Sequence, residues 1–122
     1  MAYDRDNVFA KILRGEIPCQ RVYEDDHALA FRDINPLAPV HVLVIPKGDY
    51  VSMDDFIGQA STEQVAGFFR AVGETARVLR LPEKGYRFLA NTGADGRQEV
   101  PHFHVHIFGG ARLGSMLKKI ER

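Results

Sequence analysis

The sequence predicts an α+β fold, built on a five-stranded antiparallel sheet with one long and one short helix. Three observations predict it: short β-prone runs separated by turn residues, one long stretch of helical periodicity, and a brief N-terminal stretch with the same spacing. Strands that are joined by short turns pair antiparallel, and we expect the helices to lie on one side of the sheet.

Five runs have the β-branched and aromatic content of strands and are flanked by turn residues. They are residues 21–24, 28–32, 41–45, 86–90 and 102–108.

The long helix is predicted over residues 62–81, where apolar residues recur about every 3.6 positions and Pro82 follows. The short helix is predicted over residues 8–13, with Asn7 as its N-cap.

The length of 122 residues predicts a single domain over residues 1–122. The formal net charge is zero, from 16 basic and 16 acidic residues, which argues against nucleic acid or anionic membranes as partners. The one cysteine, Cys19, excludes an internal disulfide and suits a reducing compartment, so we expect a cytoplasmic protein. Cys19 has no activating neighbour in sequence and is interpreted as structural.

Residues 102–108 carry the clearest functional signal, because three of the chain's five histidines alternate there with apolar residues. Side chains of a strand point to alternate faces, so His102, His104 and His106 share one face, about 7 Å apart from one to the next. The intervening apolar side chains can anchor in the core. Three charged imidazoles would repel one another, so at least one should be neutral near pH 7.

Zinc binding is one chemistry that fits these histidines. Zinc ligands lie about 2.0–2.1 Å from the ion, whereas His102 and His106 are about 13–14 Å apart along an extended strand. A pair at i and i+2, joined by His41, could hold an ion. Zinc is the less favoured alternative, and we expect that no cofactor is required.

Nucleophilic catalysis at phosphorus is the favoured chemistry. A neutral imidazole nitrogen attacks the phosphoryl group, and water then cleaves the phospho-histidine. The glycine-containing loop over residues 93–99 precedes the strand, and its backbone N–H groups can donate to the phosphoryl oxygens.

The segment 102–108 resembles the histidine triad motif, in which histidines alternate with apolar residues. Further matches extend the resemblance to the Hint branch of the histidine triad (HIT) family, the histidine triad nucleotide-binding proteins of bacterial type. They lie at residues 9–12, 15–18, 31–36, 38–47 and 85–87, and the resemblance as a whole covers a core match of about residues 7–114.

The resemblance implies a homodimer in which two sheets join into one of ten strands. It also implies hydrolysis of nucleoside phosphoramidates, such as AMP linked to an amine, through a covalent nucleotidyl-histidine. His104 matches the nucleophile and His106 a phosphate ligand. His102 and His41 match histidines that support the site.

The resemblance further implies a site for purine nucleoside monophosphates. Asp33 matches the carboxylate on the ribose hydroxyls, which can accept from both. The remaining positions form an apolar slot for the base and a loop near the phosphate and leaving group. They are Val8, Phe9, Ile12 and Ile34 for the slot, and Asn91, Gln98 and Glu99 for the loop.

Structural interpretations stay open for several of these residues. Asp33 could cap the turn that follows it, and Asn91 could stabilise its own turn. Val8, Phe9 and Ile12 would suit any core, as would the apolar-flanked His41. For the whole protein, the alternatives are a nucleotide-binding interaction module with vestigial activity and a dinucleoside polyphosphate hydrolase.

Three positions depart from the family pattern. Arg97 stands where glycine is frequent, which costs about 1 kcal/mol if the position needs a positive φ, although an arginine there could also contact phosphate. Glu99 stands where animal members have serine, and a carboxylate would favour a cationic amine leaving group. Pro101 replaces a common tyrosine, and the C-terminal tail lacks the tryptophan of animal members.

Overall fold

The computed structural model describes residues 2–121 and has the predicted five-stranded antiparallel sheet. Its strands are arranged in the order β1-β2-β3-β5-β4, and every neighbouring pair is antiparallel. In chain order the elements are α1 (Val8–Leu13), β1 (Arg21–Glu24), β2 (Ala28–Arg32), β3 (Val40–Pro46), α2 (Met53–Gln59), α3 (Thr62–Val78), β4 (Arg87–Leu89) and β5 (Val105–Gly109).

The structure has a second short helix, α2, that the sequence-based prediction lacks. Ser52 caps it by accepting from the Asp55 N–H, and Asp54 and Asp55 favour its first turn. Phe56 is its one buried residue. A helix with a single buried position shows too little periodicity to be found from the apolar pattern.

The long helix α3 ends at Val78, earlier than predicted. Ser61 and Gln64 form a capping box at its start. At its other end Arg80 adopts a left-handed conformation, with φ of 59°, which terminates the helix.

The last strand begins at Val105 rather than at residue 102. The Phe103 N–H donates to the Tyr50 carbonyl oxygen, 2.7 Å away, in the segment between β3 and α2. His102 and His104 therefore lie on the lead-in to β5, the segment just before the strand, and outside its ladder.

Helices cover both faces of the sheet, so the expectation that they share one side is wrong. On one face, α2 and α3 pack through Phe56 and Phe68 against a core that includes Phe103. On the other face, α1 packs through Phe9 and Ile12 against alternate residues of β2 and β3. Among residues 2–121, no helix combines the length and apolarity that crossing a membrane requires.

Candidate active site

The pairing of β3 with β5 brings histidines from both strands to one face. His41 lies opposite Phe108 and Leu43 opposite His106 in the register. Leu43 belongs to the core under α1, so these imidazoles project to the α1 side. Val105 and Ile107 point the other way, into the core under α3. The predicted alternation of histidine and apolar faces is therefore present.

His102 and His104 lie under α1 and are buried. His102 is 0% exposed and His104 is 6% exposed. The ring of Phe9 packs edge-on against His104, with centroids 4.9 Å apart. The centroids of His104 and His106 are 5.0 Å apart, less than the spacing along the strand, since the two rings tilt towards each other.

The tautomer of His104 is fixed by a backbone carbonyl. Its Nδ1 lies 2.7 Å from the carbonyl oxygen of His102. A carbonyl oxygen only accepts, so Nδ1 carries the proton and Nε2 keeps its lone pair. A neutral imidazole with a free Nε2 is a nucleophile.

A second hydrogen-bond chain fixes His41 and His106. The Leu37 N–H donates to His41 Nδ1 at 3.1 Å, so the His41 proton is on Nε2. That Nε2 lies 2.9 Å from His106 Nδ1 and 3.4 Å from Asp33 Oδ2. His106 accepts at Nδ1 and therefore carries its own proton on Nε2, where it can donate to an anion.

His102 makes hydrogen bonds at both ends of its ring. Its Nε2–H donates to the Pro46 carbonyl oxygen at 3.1 Å. Its Nδ1 is left as an acceptor and lies 2.5 Å from the hydroxyl of Tyr3, which donates to it. Tyr3 was not a predicted site residue, since nothing in the sequence links positions 99 residues apart.

Burial lowers the pKa of all four site histidines. Desolvation lowers the pKa of His102 to about 4, and it lowers that of His106 to about 4 with help from the neighbouring histidines. Desolvation also lowers the pKa of His41 and of His104 below the ordinary value. The four imidazoles are therefore neutral at pH 7, in keeping with the expectation that at least one is.

Asp33 both caps a turn and faces the histidines. Its Oδ1 accepts from the Asn35 N–H at 2.8 Å, while its Oδ2 lies near His41. The side chain of the next residue, Ile34, is 91% exposed. Asp33 and Ile34 thus form the outer edge of the site.

The other residues of the predicted apolar slot divide into two groups. Phe9 and Ile12 are buried in the core under α1, whereas Val8 is exposed. The two exposed side chains, Val8 and Ile34, are the ones that a ligand can reach.

Gln98 holds the loop over residues 93–99, which precedes the histidine segment 102–108. Its amide nitrogen donates to the carbonyl oxygens of Val51 and Val100, at 2.6 and 3.0 Å, and its Oε1 accepts from the Gly93 N–H at 3.1 Å. Gln98 therefore shapes the loop. Asn91, at the start of the same loop, is half-buried.

The neighbouring Arg97 has φ of 60°, so it occupies the left-handed conformation that favours glycine. Glu99 is exposed, and its charge, like that of Asp33, raises the pKa of His104 against the larger effect of burial. Both side-chain charges that act on the His104 pKa are carboxylates.

Phe108 was not among the predicted site residues. Its ring lies 4.2 Å from that of His41 and stacks parallel to that of His106, with centroids 5.6 Å apart. Phe108 follows His106 by two positions, so the alternation of side chains along a strand places it on the histidine face. The sequence pattern could therefore have predicted it as a site residue.

One group of potential metal ligands occurs among the residues that the structure describes. It comprises Asp33, His41 and His106, whose ligand atoms lie within 4.8 Å of one another. The predicted zinc alternative joined His41 to two triad histidines, whereas here His41 meets one of them and a carboxylate.

Two open clefts are lined by residues other than the four site histidines. One, of about 430 Å³, lies beside Tyr3, Arg14 and Lys47. The other, of about 490 Å³, lies between His27 and α3. Neither cleft has the aligned imidazoles and fixed tautomers of the histidine face, which is therefore the candidate active site.

A five-stranded antiparallel sheet, with three alternating histidines on one face of its last strand and the residues just before it, defines a histidine triad protein. The chain belongs to the HIT family, because the HIT domain model matches residues 14–113.

Similar proteins extend over most of the chain. An uncharacterised 13.2 kDa HIT-like protein of Azospirillum brasilense is 62% identical over 117 residues, which cover 96% of each chain. The purine nucleoside phosphoramidase of Escherichia coli K12 is 43% identical over 115 residues, covering 92% of this chain and 93% of the relative. A solved histidine triad protein from Clostridium difficile superimposes with a TM-score of 0.84 at 40% identity, over 95% of this chain and all (100%) of the other.

Lowering the pH is expected to destabilise the protein. The pKa of His102 is about 4 in the folded chain, against an ordinary 6.5, so the unfolded chain takes up its proton at higher pH. The free energy of unfolding should fall by about 1–2 kcal/mol for His102 between pH 6.5 and 5, above the range where most carboxylates titrate. Urea unfolding at pH 7.5, 6.5 and 5 measures this. A His27→Gln variant, changed outside the site, should keep the same dependence, and a flat profile in both proteins would contradict the assignment.

Proposed function

We propose that the protein hydrolyses purine nucleoside phosphoramidates through a covalent nucleotidyl-histidine at His104. One observation carries the proposal: the neutral His104 ring holds its proton on Nδ1 against the His102 carbonyl oxygen, which leaves Nε2 free to attack. The E. coli relative, named a purine nucleoside phosphoramidase, supports the substrate class.

The proposed reaction has two displacements at phosphorus. His104 Nε2 forms a bond to phosphorus while the phosphorus–nitrogen bond to the amine breaks, and the amine leaves with one added proton. Water then attacks the same phosphorus and the bond to Nε2 breaks. Water supplies a hydroxyl to the phosphate and, overall, the proton that the amine takes. The products are the amine and a nucleoside monophosphate.

The surrounding groups stabilise charge during these steps. After the first displacement the His104 ring becomes cationic, and its Nδ1–H donates more strongly to the His102 carbonyl oxygen. The Nε2–H of His106, oriented by His41, can donate to a non-bridging oxygen of the phosphoryl group. No metal is required for either step.

The nucleoside would bind at the exposed edge of the site. Asp33 Oδ2, which lies near His41, would accept from the ribose hydroxyls, while the exposed side chains of Val8 and Ile34 would contact the purine. Phe9 and Ile12 would support these two side chains from the core. Asn91 and Gln98 would shape the loop over residues 91–99, next to the phosphate.

The charges of the site favour this function over dinucleoside polyphosphate hydrolysis. Asp33 and Glu99 both act on His104, and a polyphosphate leaving group would bring several negative charges towards them. An amine leaving group is neutral or cationic.

A nucleotide-binding module with vestigial activity would keep the pocket but would not need the free Nε2 of His104. We place the protein in the cytoplasm, with no nucleic acid or membrane as partner.

Replacing His104 tests the reaction directly. His104→Ala is expected to reduce phosphoramidate hydrolysis to the background rate while AMP still binds, because the nucleophile is lost and the ribose and base contacts stay. Mass spectrometry of the wild-type protein mixed with an adenosine phosphoramidate should find a nucleotidyl group on the peptide that contains His104. His27→Ala is the matched control and should keep both the adduct and turnover. Turnover that survives in His104→Ala, or an adduct on another residue, would contradict the proposal.

Glu99 is expected to set a preference for cationic leaving groups. Glu99→Gln keeps the size of the side chain and removes its charge. For an exposed pair of charges worth up to about 1 kcal/mol, the kcat/KM ratio between a diamine and a monoamine phosphoramidate of equal length should fall by up to about fivefold. Asp95→Asn, an exposed carboxylate of the same loop, is the control. An unchanged ratio in Glu99→Gln would remove this role from Glu99.

We propose that the protein forms a homodimer through β4. This strand is an edge of the sheet, and Phe88 within it is 54% exposed. An apolar edge with unpaired backbone groups favours pairing with a second copy, and a twofold axis there would join two sheets into one of ten strands.

Light scattering after size-exclusion chromatography tests the dimer. The wild-type protein should have about twice the 13.7 kDa mass of one chain. Phe88→Asp, which places a charge at the proposed junction, should shift the mass towards one chain, whereas Ile57→Asp on α2 should not. A wild-type monomer, or a dimer indifferent to Phe88→Asp, would refute this interface.

A further inference from the structure

The N-terminal segment before α1 folds back over His102. The hydroxyl of Tyr3 donates to His102 Nδ1 at 2.5 Å, and the two rings meet edge to face with centroids 5.6 Å apart. Burial raises the pKa of Tyr3, so its hydroxyl is protonated and acts as a donor at neutral pH. His102 is fully buried, so no bulk water reaches its Nδ1. The Tyr3 hydroxyl supplies the hydrogen bond that this buried acceptor needs.

Polar contacts hold this segment against the rest of the protein. The Asn7 side chain, which caps α1, also donates to the Asp4 carbonyl oxygen at 2.7 Å. Arg14 donates to the Arg5 carbonyl oxygen at 2.9 Å. These contacts join the Tyr3 segment to α1, the helix whose Phe9 covers His104.

The two hydrogen bonds of His102 restrain its ring from opposite ends. The Pro46 carbonyl oxygen accepts from Nε2, and Tyr3 donates to Nδ1. A ring held at both nitrogens can neither turn over nor slide. The backbone carbonyl of the same residue accepts from His104 Nδ1, so the position of His102 decides where His104 points.

We infer that Tyr3 is a positioning residue, which acts through His102 to orient the His104 imidazole for attack. The naming of His104 as the nucleophile rests on the proposed function. The hydrogen-bond connection from Tyr3 to His102 and on to His104 does not, and it can be tested without a substrate.

Removal of the Tyr3 hydroxyl would leave His102 Nδ1 as a buried acceptor without its donor. The ring could then turn, or a water molecule could enter beside it. Either change would release the restraint on His102, and a shift of its carbonyl oxygen would weaken the hydrogen bond that holds the His104 proton on Nδ1.

Tyr3→Phe tests the inference, because it keeps the aromatic ring and removes only the hydroxyl. The ¹⁵N NMR shifts of the His102 ring should change at Nδ1, and those of His104 should change with them. With an adenosine phosphoramidate, kcat should fall about tenfold while KM stays within about twofold, because orientation is lost and the nucleotide contacts are not. A merely structural role would lower stability without this split.

Tyr23→Phe is the matched control. The Tyr23 hydroxyl also donates a side-chain hydrogen bond, to Asp25 at 2.9 Å, but Tyr23 lies on β1 and makes no hydrogen bond to the four site histidines. This variant should keep the wild-type kcat and the wild-type ¹⁵N shifts of His102 and His104.

The outcomes separate the two proposals. If Tyr3→Phe leaves the His102 and His104 ¹⁵N shifts unchanged, the positioning role is overturned, whatever the activity. If the shifts change but kcat does not, Tyr3 contacts His102 without orienting the reaction, and the inference is again overturned. If the wild-type protein fails to hydrolyse phosphoramidates, the proposed function fails, while the NMR comparison still decides whether Tyr3 controls the histidines.

Discussion

The two-residue alternation of side chains along β5 and its lead-in is the constraint on which the site depends. Phe103, Val105 and Ile107 are buried under α3, and their burial is the main energetic reason for the position of this segment. His104 and His106 must then face α1. A shift by one residue would place imidazoles in the core and apolar side chains at the site, so the packing of one face fixes the chemistry of the other.

The same arrangement keeps the histidines neutral and determines which ring nitrogen of each carries the proton. Burial under α1 lowers their pKa values, and the backbone selects the tautomers. The carbonyls of Pro46 and His102 each accept from an imidazole N–H, while the Leu37 N–H donates to His41. Backbone atoms held by the sheet and its loops are less free to move than side chains. The fold itself therefore determines that the free lone pair of His104 is on Nε2.

The sequence predicted the strands, the long helix and the shared histidine face because each depends on local periodicity. It missed α2, which buries Phe56 alone and so lacks a pattern. The apolar stripe of α1 predicted a helix, but a stripe does not say which face of a sheet it will cover. Alternation continues through residues 102–104 although the Phe103 N–H bonds to Tyr50, so the start of β5 was placed too early. Tyr3 is distant in sequence from His102, and local patterns contain no signal for such a contact.

The electrostatics of the site constrain any substrate that reacts at His104. The imidazoles contribute donors and a lone pair but no fixed positive charge at pH 7, and Asp33 and Glu99 add negative charge nearby. A phosphoryl group with one negative charge can be held by N–H donors alone, whereas each further charge would need a cation to offset its repulsion from the carboxylates. A phosphoramidate meets this condition, because its leaving amine can carry positive charge of its own. In the proposed reaction, burial that keeps the histidines neutral would therefore have two effects: it would preserve the nucleophile, and it would restrict the reaction to substrates of low negative charge.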